Sequence, residues 1–143
     1  MSTALQACCI RVLCVDDNPR VAEALKIKFS RIKGFHWRGW LPGAEGLPER
    51  AAAESPVMVL LDLDMPGPDP FDALAEISEK SEDVKVVVFS GHVRKELIER
   101  ALDAGAWGYV SKNDGEQALI DALRTVAAGE VAMSPEIQDT WSS

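Results

Sequence analysis

The feature that most constrains the fold is Val57-Met58-Val59-Leu60-Leu61-Asp62, five apolar residues that run without a break into a carboxylate. A short continuous apolar run between turn residues reads as a strand buried on both faces. Glu54-Ser55-Pro56 precedes it and Met65-Pro66-Gly67-Pro68 follows, so it is punctuated at both ends. Such strands belong to sheets covered by helices on both sides. Asp62 then stands at the carboxyl end of a central strand, where an open α/β sheet places its ligand crevice.

The flanking pattern agrees. Cys9 to Val15 (C-I-R-V-L-C-V) reads as a first strand ending in Asp16-Asp17. Asn18 offers an N-cap and Pro19 takes the first helical position. Val21, Leu25, Phe29 and Ile32 recur at helical spacing up to Gly34. Phe35 to Trp40 alternates apolar and polar residues, as a half-exposed edge strand should. Pro48 to Ala53 has room for only a short helix. Asp69-Pro70 repeats the cap-then-proline start, and Phe71, Leu74 and Ile77 mark the helix that follows.

Val84 to Ser90 is the fourth strand. A helix from about Val93 to Ala104 turns Leu97, Ile98, Ala101 and Leu102 inward. Trp107 to Ser111 is a short fifth strand with Lys112 behind it, and a last helix carries Leu119, Leu123 and Val126 to Gly129. This alternation predicts a doubly wound, five-stranded parallel α/β sheet of the flavodoxin-like kind, in the order 2-1-3-4-5. The expected layout is a leader at 1–8, one domain at 9–130, and a tail or the start of a linker at 131–143. In that tail, Ser134-Pro135-Glu136 is a helix start with little room to run.

Composition narrows the function. A chain of 143 residues suits one domain, and 47% hydrophobic residues exclude a disordered chain. A net charge of −8 argues against direct contact with nucleic acid and suits a cation or basic partners. Cys8, Cys9 and Cys14 lack the spacing of a zinc site. With no cleavable signal pattern they read as reduced thiols of a cytoplasmic protein. No apolar run approaches the length of a membrane span.

The strand ends carry the chemistry. Strand one gives Asp16 and Asp17, strand three Asp62, strand four Ser90 and strand five Lys112. In the predicted order, strands one and three lie roughly 4.8 Å apart. Carboxylates gathered there repel, and a hard divalent ion relieves the repulsion. Mg²⁺ fits, because it needs only one or two protein carboxylates plus water and phosphate oxygens. A carboxylate can also be a nucleophile toward a phosphoryl group, with Lys112 as the balancing cation and Ser90 as a hydroxyl donor. Taken singly, each residue has an ordinary reading: a solvated helix start, a loop serine, a surface lysine. Their joint arrival at one rim carries the functional reading. Trp37 and Trp40 read as edge-strand packing, Trp107 as core or contact surface, and His36 and His92 as surface residues.

Four pieces, in order and each at a strand end, resemble the receiver domain of bacterial two-component response regulators. They are Val15-Asp16-Asp17, Leu61-Asp62-Leu63-Asp64-Met65-Pro66-Gly67, Val88-Phe89-Ser90-Gly91-His92 and Gly108-Tyr109-Val110-Ser111-Lys112. The resemblance covers about residues 9–130. It implies that Asp62 accepts a phosphoryl group from a sensor histidine kinase or a small phosphodonor. It implies Mg²⁺ held by Asp17, Asp62 and the backbone carbonyl of Asp64, with Asp16 acting through water. Ser90 and Tyr109 are then the switch pair, the Tyr109 ring rotating inward as Ser90 moves to the phosphate. The face built from the fourth helix, fifth strand and fifth helix would be remodelled, with homodimer formation among its consequences.

Catalysis would extend only to the chain's own phosphorylation and dephosphorylation. Residues 127–136 resemble the receiver end of the subgroup with a LuxR-type helix-turn-helix output. The implied output is transcription through a DNA-binding domain absent from these residues; the alternative is a natural single-domain regulator acting by protein contact. Two departures stand out: Gly67-Pro68-Asp69-Pro70 replaces the family's usual Asp-Gly, and Asp64 adds a charge beside the acceptor. Two other classes share part of the pattern. A haloacid-dehalogenase-type phosphatase shares the Asp-x-Asp spacing but carries it on its first strand. A phosphate-independent binding module would have lost an acidic, acceptor or lysine residue, and none is lost.

Overall fold

The computed structural model describes residues 9–143; the expected leader at 1–8, with Cys8, lies outside the described residues. Strand β1 (Ile10–Val15) leads to α1 (Pro19–Arg31), β2 (Phe35–Leu41) and α2 (Leu47–Glu54). Strand β3 (Val57–Leu61) is followed by α3 (Pro70–Lys80), β4 (Val84–Ser90) and α4 (Lys95–Asp103). Then come β5 (Gly108–Ser111), a 3₁₀ turn (Lys112–Asp114), α5 (Gly115–Ala127), β6 (Ala132–Met133) and α6 (Pro135–Ser142). Among the described residues, no helix is long and apolar enough to cross a membrane.

The two cap-then-proline starts form as the residues dictate. The Asn18 side chain accepts a hydrogen bond from the Arg20 amide, and Asp69 does the same for Phe71. Each cap satisfies one of the free amides of a helix start. All five residues of β3 are buried, as a strand covered on both faces requires. Leu25 and Phe29 of α1 and Leu119, Ile120 and Leu123 of α5 pack on one face of the sheet. On the other face lie Leu47 of α2, Leu74 and Ile77 of α3, Ile98 of α4 and Ile137 of α6.

The sheet is parallel throughout and has six strands, in the order β2-β1-β3-β4-β5-β6. The expected order holds for the first five; the expected count of five is corrected by β6. Two residues are too short a run to show strand periodicity, so Ala132 and Met133 carry no pattern of their own. They pair with Gly108 and Tyr109. A Cβ on Gly108 would lie 3.0 Å from the Ala132 carbonyl, so the bare glycine permits the close approach. The stretch 131–143, read from sequence as tail or linker, thus supplies a strand and a helix. Helix α6 packs on β5 and α4. It therefore partly covers the face built from α4, β5 and α5.

At the end of α4 the chain turns through Gly105 at φ +108°, and a Cβ there would meet the Ser78 hydroxyl oxygen at 2.1 Å. Strain and overlap act together. Gly105→Ala is expected to lower stability by about 2 kcal/mol, read as a lower midpoint in urea unfolding with an unchanged slope.

Candidate functional site

Strand register builds the site. Val15 pairs with Leu61, so the next residue of each strand, Asp16 and Asp62, emerges on the same rim. The Asp62 amide donates to the Val15 carbonyl at 3.0 Å and fixes the two ends together. Asp16, Asp17 and Asp62 each offer a carboxylate oxygen within 4.8 Å of the others. Asp16 and Asp62 are buried, at 2% and 5% exposure, while Asp17 faces solvent. Lys112 Nζ lies 2.7 Å from Asp16 Oδ2 and 3.6 Å from Asp62 Oδ1. The three carboxylates and the lysine expected at this rim are brought together.

Burial and charge oppose each other here. Loss of water raises the Asp62 pKa above its ordinary 3.8; the Lys112 ammonium pulls it back, and the Asp16 charge pushes it up again. The backbone N–H groups of Asp64 and Leu63 favour the carboxylate. For Lys112, burial works against the charge, but the bond to Asp16 and the attraction of Asp62 prevail and hold its pKa above the ordinary value. The cation therefore stays charged between two buried carboxylates. Asp16 Oδ1 also accepts from the Asn18 amide at 2.9 Å, which locks its rotamer. Cys14 behaves as core: burial pushes its thiol up to about 12, aided by the Asp16 charge.

Ser90 and Tyr109 meet through the His92 backbone. Ser90 is fully buried, and its hydroxyl oxygen accepts from the His92 amide at 3.0 Å. Tyr109 is also fully buried, and its hydroxyl donates to the His92 carbonyl at 2.6 Å. The Tyr109 ring therefore lies inward in this structure. Burial pushes the Tyr109 phenol up to about 12, against the pull of the Ser90 hydroxyl. His92, read as a surface residue, joins both members through its backbone. Its ring Nε2 sits 3.1 Å from Asp64 Oδ2, both side chains exposed. An exposed pair of this kind contributes little to stability.

Trp40 is the residue that sequence reasoning missed. Its indole Nε1 donates to the Asp16 backbone carbonyl at 2.6 Å. The β1–β2 register shifts between Val12 and Leu13, and Arg38 is the extra residue on β2. That bulge places Trp37 opposite Val12 and Trp40 opposite Cys14, one strand from the acidic rim. The available signal was Trp40's position at the carboxyl end of the strand beside β1.

A raised carboxylate pKa has a defined stability consequence. The folded state holds the Asp62 proton more tightly than the unfolded chain, so stability falls as pH rises from 3.8 through the raised value. Above that value the penalty is complete. Asp62→Asn is expected to melt at a higher temperature than the parent at pH 7. The gap should close as pH falls below 3.8; calorimetric melting across pH checks it.

Comparison with known proteins gives the family. The response regulator receiver domain matches residues 12–124. Response regulator UvrY of Escherichia coli K12 is 30% identical over 128 residues, covering 90% of this chain and 59% of that protein. The nitrate/nitrite response regulator NarL of the same strain is 34% identical over 123 residues, covering 86% and 57%. The chain spans about three fifths of the length of these relatives. A LuxR-family two-component response regulator from Aurantimonas sp. SI85-9A1 superposes with a TM-score of 0.86 at 29% identity, covering 92% of this chain and 94% of that one. With the match running from β1 into α5 and taking in the acidic rim and Lys112, the chain belongs to the response regulator receiver domain family.

Proposed function

We propose that Asp62 is the phosphoacceptor of a signalling switch. The observation that carries this is Lys112 held between two buried carboxylates, 3.6 Å from Asp62 Oδ1. An Asp62 oxygen attacks phosphorus, forming a C–O–P acyl phosphate. The bond from phosphorus to the donor breaks, and its electron pair leaves with the imidazole of a sensor histidine kinase or with a small acyl phosphate's carboxylate. Lys112 lies where a phosphoryl oxygen on Asp62 would meet a cation, and it keeps its proton throughout.

The donor set fits Mg²⁺: it is all oxygen, acidic and closely gathered. Asp17, Asp62 and the backbone carbonyl of Asp64 would hold the ion, with Asp16 acting through water. The bound ion would supply charge neutralisation for the phosphoryl oxygens. Ser90 would turn its hydroxyl from the His92 amide toward a phosphoryl oxygen. Because the Tyr109 ring is already buried, the switch is a rearrangement of the hydrogen bonds joining Ser90, His92 and Tyr109. Turnover is limited to the chain's own phosphorylation and its hydrolysis.

Transcription is the proposed output, supported by the LuxR-family designation of the Aurantimonas neighbour. The charge of −8 assigns any DNA contact to a different segment of a longer protein. Pairing of two phosphorylated receivers would be the step between.

Incubation with Mg²⁺ and acetyl phosphate, followed by intact-mass measurement, is the test. The parent chain is expected to gain one phosphoryl group. Asp62→Asn should gain none, and chelating the metal should abolish the gain in the parent. An unmodified parent chain with Mg²⁺ present would overturn the assignment.

A further inference from the structure

We infer that β6 and α6 act as a positioning arm for Lys112, with Glu136 as its contact, so that docking of this arm and phosphoryl binding at Asp62 favour each other. The inference rests on the phosphoacceptor reading and deepens it.

The geometry is specific. Lys112 opens a 3₁₀ turn of three residues that follows β5 directly. Its ammonium is held on one side by Asp16 and Asp62. On the other side the turn's backbone and neighbours are held by the arm. The Ser111 amide donates to the Ser134 hydroxyl at 2.9 Å, and the Ser111 hydroxyl donates to a Glu136 carboxylate oxygen. The Asn113 side chain donates to the same Glu136 oxygen at 3.2 Å. In return the Glu136 amide donates to Asp114 at 3.0 Å. The Ser134 amide donates to the Tyr109 carbonyl at 3.2 Å, which ties the arm to the buried switch residue as well.

Ser111 and Ser134 are buried, so the bond between them is shielded from competing water. One short segment therefore grips the residues on either side of Lys112 and the strand that carries Tyr109. A lysine on a free turn would sample many positions; a lysine on a clamped turn is held in the one that faces Asp62. A phosphoryl group that binds Lys112 then binds the docked arrangement best. Linkage makes the effect reciprocal: ligand at Asp62 stabilises the docked arm by the same factor by which the arm improves ligand binding.

Titration calorimetry with Mg²⁺ and beryllofluoride, together with amide hydrogen exchange, tests this. Glu136→Ala is expected to weaken beryllofluoride binding by about fivefold or more. Glu136→Gln keeps an oxygen for the Ser111 hydroxyl and the Asn113 amide and should bind close to the parent. In the parent, beryllofluoride should slow exchange across residues 132–142. Ser134→Ala, which removes the acceptor of the Ser111 amide, supplies the same comparison should Glu136→Ala not fold. Parent-like affinity in the folded alanine variant, or unchanged exchange in 132–142, would make the arm a mere cap and overturn the inference alone. Absence of beryllofluoride binding to the parent would instead overturn the phosphoacceptor reading, and this inference with it.

Discussion

One charge balance governs the rim: a single ammonium between Asp16 and Asp62, both nearly removed from water. Two buried carboxylates side by side are unstable without a cation. Lys112 supplies it from the end of a different strand, 96 residues along the chain from Asp16. The parallel sheet brings the carboxyl ends of β1, β3 and β5 to one rim, where the three groups meet. The same balance prepares the site for chemistry. One positive charge does not neutralise three carboxylates, so the rim retains an attraction for further cation charge.

The rim is also a junction of hydrogen bonds that reach away from it. His92 joins Ser90 and Tyr109 through its backbone. Trp40 holds the Asp16 carbonyl from β2. Ser134 and Glu136 hold the residues around Lys112 from the far side. A charge added at Asp62 therefore meets groups that are already bonded to neighbouring elements. These bonds connect the rim to β2, to the segment before α4 and to α6. On the proposed reading, a change of hydrogen-bond partners would be the physical means by which a small event spreads.

Much of this was legible in the residues. Five of the six strands follow from apolar runs and from two Asn/Asp-Pro helix starts whose caps form as chemistry requires. Asp16, Asp17, Asp62 and Lys112 were legible because a parallel sheet collects strand ends on one rim, whatever their distance in sequence. Other features were not. β6 is two residues long and takes its conformation from β5 and the bare Gly108, so no local pattern marks it. Trp40 bonds to Asp16 beyond a bulge at Arg38, and a bulge reverses the facing that simple alternation assigns. The buried position of the Tyr109 ring was not legible either. Its orientation is decided by the His92 carbonyl, a backbone group that no side-chain pattern encodes.

The two borders of the sheet have a consequence for solubility. One border is β2, which carries the bulge at Arg38 and exposes His36. The other is β6, only two residues long and backed by α5. An unpaired ladder is a template for stray chains, and bulges, charged side chains and shortness all spoil the template. Among the described residues, neither border offers a long flat row of free amides and carbonyls. Strand-to-strand polymerisation is thereby discouraged at both sides, and any self-association this domain undergoes is left to its helices.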